Sequence, residues 1–197
     1  ELMCTLKPHD IRVFVYTNGS LLRMFPHQEI LTWNINAVVV SVDGVDCDSY
    51  ERIRVGGKYQ RLRASVRELY EQRNHCGSRV PEIEIRHVIM PDENPYQLLQ
   101  FQKQWLGVAD TVRFNKLQPL APGQISHRVT PCRHIRREFS IDWDGRVRIC
   151  GCYPEYFGDL HSATIEELWQ SPEIEFVRQC QRDRNFEQIP ACKQCRV

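Results

Sequence analysis

The chain has 197 residues, 42% hydrophobic and 26% charged, which is enough apolar material for a packed core and excludes disorder as a global state. Its 26 basic and 25 acidic residues leave a net charge of +1, so bulk electrostatics nominates no nucleic acid as a partner. Nine cysteines cannot all pair within one chain, and no apolar run is long enough to span a bilayer.

Residues 11–17 (IRVFVYT) are β-branched and aromatic and run into Asn18-Gly19, which predicts a buried strand with an abrupt stop. Pro26 fits the first turn of a short helix reaching about Trp33. Residues 37–42 (AVVVSV) form a continuous apolar run, as in a strand covered on both faces of a parallel sheet, and end in Asp43-Gly44. From Tyr59 to about Asn74, Leu62, Val66, Leu69 and Tyr70 recur at helical spacing. Residues 83–90 (IEIRHVIM) read as a third strand. Asn94 caps a helix that includes Leu98, Leu99, Phe101, Gln102 and Trp105. Residues 110–114 (DTVRF) give a fourth strand.

Helices of this length fit crossovers between parallel strands, not hairpins. Residues 1–116 are therefore expected to form part of an α/β sheet or barrel. Ligands in such folds sit at the C-terminal ends of strands. Those ends are residues 17–19, 41–44 and 90–92, all polar or turn-forming, which suits a site and equally suits ordinary turns.

Residues 117–131 contain Pro119, Pro122 and Gly123 without periodicity and read as a linker. Beyond them, residues 137–143 and 146–150 flank Asp144-Gly145, a hairpin signal. Thr164, followed by Glu166 and Glu167, caps a short helix to Trp169. Pro172 opens another, to about Asp183. Arg128, Arg133, Arg136, Arg137, Arg146 and Arg148 are either a solvated face or a site for a phosphate or carboxylate.

Cys132, Cys150, Cys192 and Cys195 are the candidate metal ligands. No secretory h-region opens the chain, so a reducing cytoplasm is expected, where clustered cysteines point to metal or redox chemistry. The Asp-Gly hairpin brings Cys150 opposite the segment that leads in from Cys132, and Cys192-Lys-Gln-Cys195 supplies two thiolates from one turn. Four thiolates suit zinc or an iron–sulfur cluster. Zinc sites usually use two short knuckles; here the first half spans a whole hairpin, which favours a cubane, with zinc and no metal as the alternatives. Cys152 is a possible alternate ligand. Cys180, on a predicted helix, reads as a buried small hydrophobe, and so do Cys4, Cys47 and Cys76.

The string Cys132…Asp144-Gly145…Cys150…Gly158-Asp159-Leu160…Ile165-Glu166-Glu167-Leu168-Trp169…Cys192-x-x-Cys195 resembles the SPASM or twitch auxiliary-cluster domain of radical S-adenosylmethionine enzymes. The resemblance covers residues 132–197 and implies one auxiliary [4Fe–4S] cluster on the four cysteines, in a small α+β domain with a β-hairpin. Where the family usually has Gly-Asn, this chain has Gly158-Asp159.

By the same resemblance, residues 1–116 are the C-terminal part of a partial (β/α)6 radical enzyme barrel. Tyr16-Thr17-Asn18-Gly19 and Ser41-Val42-Asp43-Gly44, with Tyr50, Arg54 and Asn94, match its middle strands. That implies S-adenosylmethionine contacts at Ser41 and Arg54, and at Asn18 and Asp43. From the residues alone, Arg54 is a loop arginine paired with a carboxylate. The family's Cys-x3-Cys-x2-Cys loop is absent, as is its Gly-Gly-Glu-Pro strand end, and residues 1–6 read as the middle of a helix.

The expectation is a C-terminal fragment of a longer enzyme, inactive alone, with a natural half or a degenerate form as alternatives. The intact enzyme would abstract a substrate hydrogen through a 5′-deoxyadenosyl radical. The auxiliary cluster would accept an electron or anchor substrate. Oxidation or epimerisation of a small polyol, aminocyclitol, sugar or peptide is implied, with flavodoxin or ferredoxin as electron donor. The rival reading is a zinc-stapled binding module without catalysis.

Overall fold

A computed structural model describes residues 11–33, 35–117, 130–151, 153–193 and 195. The chain divides into two compact units, Glu1–Pro119 and Leu120–Val197.

In the first unit strands and helices alternate. The elements are β1 (Phe14–Thr17), α1 (His27–Thr32), β2 (Ala37–Ser41), α2 (Cys47–Ile53), α3 (Tyr59–His75), β3 (Glu82–Ile89), α4 (Pro95–Gln104) and β4 (Thr111–Lys116). The four strands are parallel and lie in the order β1-β2-β3-β4. A sheet built in sequence order by crossovers is the outcome expected from alternating strands and helices.

Side chains alternate across the sheet. One set, Val38, Val40, Val42, Ile83 and Ile85, joins Leu62, Val66 and Leu69 of α3 and Phe101 of α4 in a single core. The other set is partly charged. Glu84 is buried and accepts from Arg86 Nε and from Arg113 Nε, each at 2.8 Å. The Arg86 guanidinium lies 5.0 Å from the centre of the Tyr16 ring. The expected burial of β1 does not hold: Tyr16 is 61% exposed and Phe14 46%. The physical reason is its place at the edge of the sheet, where among the described residues it has a strand partner on one side only.

Helix α2 was not expected from periodicity. Its signal is local: Asp46 accepts from Ser49 N at 2.8 Å, and Ser49 Oγ accepts from Asp46 N at 3.1 Å, a reciprocal cap. Asn94 and Gln97 make the same box at α4. Two buried polar links hold the strand ends. His87 Nδ1 lies 2.8 Å from Val42 O, and His87 Nε2 lies 2.7 Å from Glu93 Oε2. Since the carbonyl can only accept, Nδ1 carries a proton, and the end of β2 is tied to the loop after β3.

In the second unit the elements are β5 (Ser140–Ile141), β6 (Arg146–Arg148), β7 (Tyr156–Asp159), α5 (Ile165–Trp169), α6 (Pro172–Arg182) and α7 (Pro190–Lys193). The hairpin at Asp144-Gly145 is present, shorter than its expected flanks, and Gly145 takes the φ of +83° that such turns require. β7 adds a third antiparallel strand that the sequence reading did not include. Most of the expected linker, residues 118–129, lies outside the described residues, as do Arg128, residues 1–6, Cys4 and Cys152.

Candidate metal centre

The four cysteines are placed by different elements. Cys132 precedes a 3-10 turn at His134–Arg136, Cys150 follows β6, and Cys192 sits on α7. The Cys192–Cys195 turn closes with Cys195 N donating to Cys192 O at 3.2 Å. Cys132 and Cys192 are both buried, in one apolar cluster with Ile135, Ile149, Ile174, Val177, Cys180 and Ile189. Cys150 and Cys195 are half-buried.

Burial dominates the environment of the third cysteine. Burial pushes the Cys192 thiol up to about 11, a contact from the Gln181 amide opposes the rise, and Cys150, Cys195 and Cys132 add to it. Tyr153 is raised by burial first, then by Glu155, and also feels Cys192 and Cys150. Among the described residues, no three His, Cys, Asp or Glu side chains form a group that could hold a metal ion. The donor set itself fits an iron–sulfur cluster: four soft thiols in a largely apolar shell.

Helix α6 fixes the first cysteine from behind. It turns Ile174, Val177, Cys180 and Gln181 inward. The fully buried Gln181 accepts the Cys132 N–H through Oε1 at 2.8 Å. Arg178 donates from Nε to Ile135 O at 3.2 Å and from Nη1 to Trp169 O at 2.8 Å, and its guanidinium stacks 4.1 Å over the Trp169 ring. Sequence reasoning missed Gln181 and Arg178. Their only signal was a polar side chain on the inward stripe of an amphipathic helix.

The Gly158…Leu168 part of the motif is packing. A Cβ at Gly158 would stand 2.3 Å from Leu168 Cδ2, so the missing side chain lets α5 lie on β7. Asp159 Oδ1 accepts from His161 N at 2.8 Å and starts the turn into α5. The arginine cluster is in part internally satisfied. Arg146 Nε donates to Asp144 Oδ2 at 2.7 Å, Arg148 Nη2 donates to Asp142 Oδ1 at 2.6 Å, and both guanidinium groups lie over Tyr156. Arg133, Arg136 and Arg137 are exposed.

Cys180 is a core residue, as expected. Cys76 is exposed, against the expectation of burial, because it falls at the C-cap of α3 where the helix runs out of the core; Cys47 is half-buried.

In the first unit, Asn18 follows β1 and Ser41 ends β2. The register pairs Thr17 with Val40, so both stand at the same end of the sheet. Asn18 Oδ1 is engaged in its own turn, accepting from Ser20 N at 2.9 Å. Asp43 is buried and ion-paired to Arg54. Arg54 caps the C-terminus of α2 and donates its backbone N–H to Tyr50 O at 2.8 Å. Gly44 permits this tight path: its φ is +97°, and a Cβ there would lie 2.4 Å from Tyr50 N. Asn18, Ser41 and Asp43 thus come from the strand ends that the sequence nominated, and Arg54 reaches Asp43 from the end of α2.

Residues 132–196 match the SPASM iron–sulfur cluster-binding domain. The match spans the C-terminal third of the chain. All four candidate cysteines fall inside it, and so do Gln181, Arg178 and the Gly158–Leu168 contact. No curated protein matches the chain. Among solved structures, selenomethionine BtrN in an open conformation aligns at 10% identity and a TM-score of 0.33, over 95% of this chain and 94% of that one. A likeness that slight carries no argument. Among the described residues, no helix is long and apolar enough to cross a membrane.

Proposed function

We propose that the chain belongs to a radical S-adenosylmethionine enzyme, with Cys132, Cys150, Cys192 and Cys195 holding one auxiliary [4Fe–4S] cluster. The observation that carries this reading is the SPASM match across 132–196, within which all four cysteines fall. Such a cluster, when bound, supplies a one-electron sink. Four thiolates leave no iron open, so oxidation by electron transfer is favoured over anchoring of substrate.

The chain's own residues shape that sink. Ile149, Ile174, Val177 and Ile189 exclude water from Cys192. Arg178 and Gln181 hold the Cys132 segment in register. In the first unit, read as part of the enzyme's barrel, Ser41, Arg54, Asn18 and Asp43 bind S-adenosylmethionine. Arg54 is suited to a carboxylate: its side chain is 37% exposed, with Asp43 fixing one edge of the fork. Substrate is a small polyol, aminocyclitol, sugar or peptide, the electron donor is a flavodoxin or ferredoxin, and the compartment is the cytoplasm. The catalytic cluster that cleaves S-adenosylmethionine lies outside these residues.

Anaerobic reconstitution with iron and sulfide tests the reading. Uptake of both, with broad visible absorption, supports it. Stoichiometric zinc without that absorption contradicts it.

A further inference from the structure

A groove of about 430 Å³ opens on the second unit, within the size range of ligand pockets, roughly 300–1,000 Å³. Its floor is Ile149 and Val177, both buried. Four aromatic rings line it: Tyr153, Tyr156, Phe157 and Phe176. Phe176 is 52% exposed and Tyr156 40%, so the groove is reached from solvent. Glu155 and Glu173 complete the lining, and both are exposed.

The charge is one-sided. No lysine, arginine or histidine lines the groove among the described residues, and neither Glu155 nor Glu173 has an ion-pair partner among them. The first turn of α6 favours a carboxylate at Glu173, but Glu155 stands before β7 and has no such helix end. Arg146 and Arg148 lie over Tyr156, where Asp144 and Asp142 already neutralise them.

The aromatic lining is set in advance. Tyr156 Oη donates to Asp142 Oδ2 at 2.7 Å. Phe157 packs edge-on against Phe139, with ring centres 6.4 Å apart, and Tyr153 N donates to Cys150 O at 3.1 Å. Rings held this way lose little freedom on binding. Their faces attract cations, and the carboxylates add the opposite charge at the mouth. A lysine or arginine side chain has the matching parts, an apolar stem and a cationic end. An open groove also leaves a backbone outside, as a peptide requires, whereas a free small ligand is mostly enclosed.

We infer that this groove binds a basic side chain of a peptide, its stem among the rings over Ile149 and Val177 and its charge met by Glu155 and Glu173. The inference does not rest on the cluster reading, since none of these residues is a candidate metal ligand.

The test is ligand-observed saturation-transfer NMR on the reconstituted full chain, with acetyl-Gly-Lys-Gly-amide as the probe. The same peptide with norleucine in place of lysine keeps the stem and removes the charge. The lysine peptide should bind about tenfold more tightly, the effect of two exposed ion pairs, and more weakly as NaCl rises. Glu155→Gln combined with Glu173→Gln should remove that preference and leave the norleucine peptide unchanged. Phe176→Ala should weaken both peptides. All three substitutions fall on exposed side chains, and an unchanged thermal midpoint checks that the variants fold.

Equal binding of the two peptides by the wild type, or a lysine preference indifferent to salt, overturns the inference without recourse to any variant. Butylammonium binding as tightly as the lysine peptide overturns the peptide as occupant. A chain that takes up no iron and still prefers the lysine peptide contradicts the cluster reading and supports this one.

Discussion

Gln181 Oε1 accepts the backbone N–H of Cys132 at 2.8 Å, across 49 residues of sequence. The first cysteine of the motif is thereby held by the helix that precedes the last two. Arg178, one turn earlier on α6, grips the same segment at Ile135 O.

Arg178→Met should unhinge that segment. It removes donors to Ile135 O and Trp169 O and the stack on Trp169, at a cost of about 2–3 kcal/mol to the C-terminal unit. Urea unfolding followed by tryptophan fluorescence measures the loss. An unchanged midpoint would show that the contacts are replaced by water.

Gly158→Ala tests whether the glycine in the motif is there for packing. The new methyl would meet Leu168 Cδ2 at 2.3 Å, and overpacking of this kind costs about 1–3 kcal/mol. Adding Leu168→Ala should relieve the clash. In a double-mutant cycle, strictly additive losses would contradict the packing account.

In the first unit, Asp110 accepts from Ile83 N at 2.7 Å and from Arg73 Nη2 at 2.9 Å, and Arg73 Nη1 donates to Pro81 O at 2.9 Å. Arg73 is buried, so Asp110→Ala strands its charge against β3 and β4. The expected destabilisation is about 3–5 kcal/mol. Replacing Arg73 and Asp110 together with apolar residues should cost less than Asp110→Ala alone, which chemical denaturation of the three variants would check.

His27 makes stability sensitive to acid. Burial lowers its pKa below 6.5, and the attraction of Glu68 only partly opposes this. A lowered folded pKa means that the unfolded chain binds the proton first. The contribution is intact above about pH 6.5 and is lost as pH falls from there toward the folded value. His27→Leu should flatten thermal stability in that window. An equally steep decline in the variant would contradict the assignment.

The two halves were legible in the sequence for different reasons. The apolar run 37–42 and the stripe Leu62, Val66, Leu69 encode a strand and a helix by period alone, and both stand where expected. β7 was not legible because Gly158 and Asp159 carry turn chemistry, and the strand exists only by pairing with β6. Phe14 and Tyr16 misled because β-branched and aromatic residues signal a strand without saying whether it lies at an edge. At the metal centre the cysteines were legible by spacing. Gln181 was not, because its role follows from a contact made in the folded state with a residue 49 positions away.

The central claim is that Cys132, Cys150, Cys192 and Cys195 together hold one iron–sulfur cluster. Iron and acid-labile sulfide should be counted after anaerobic reconstitution of the wild type, the four single Cys→Ala variants and Cys180→Ala. The account predicts about four irons and four sulfides for the wild type and for Cys180→Ala, and loss of the cluster in each of the four. Retention of the full complement in any one of Cys132→Ala, Cys150→Ala, Cys192→Ala or Cys195→Ala would contradict it.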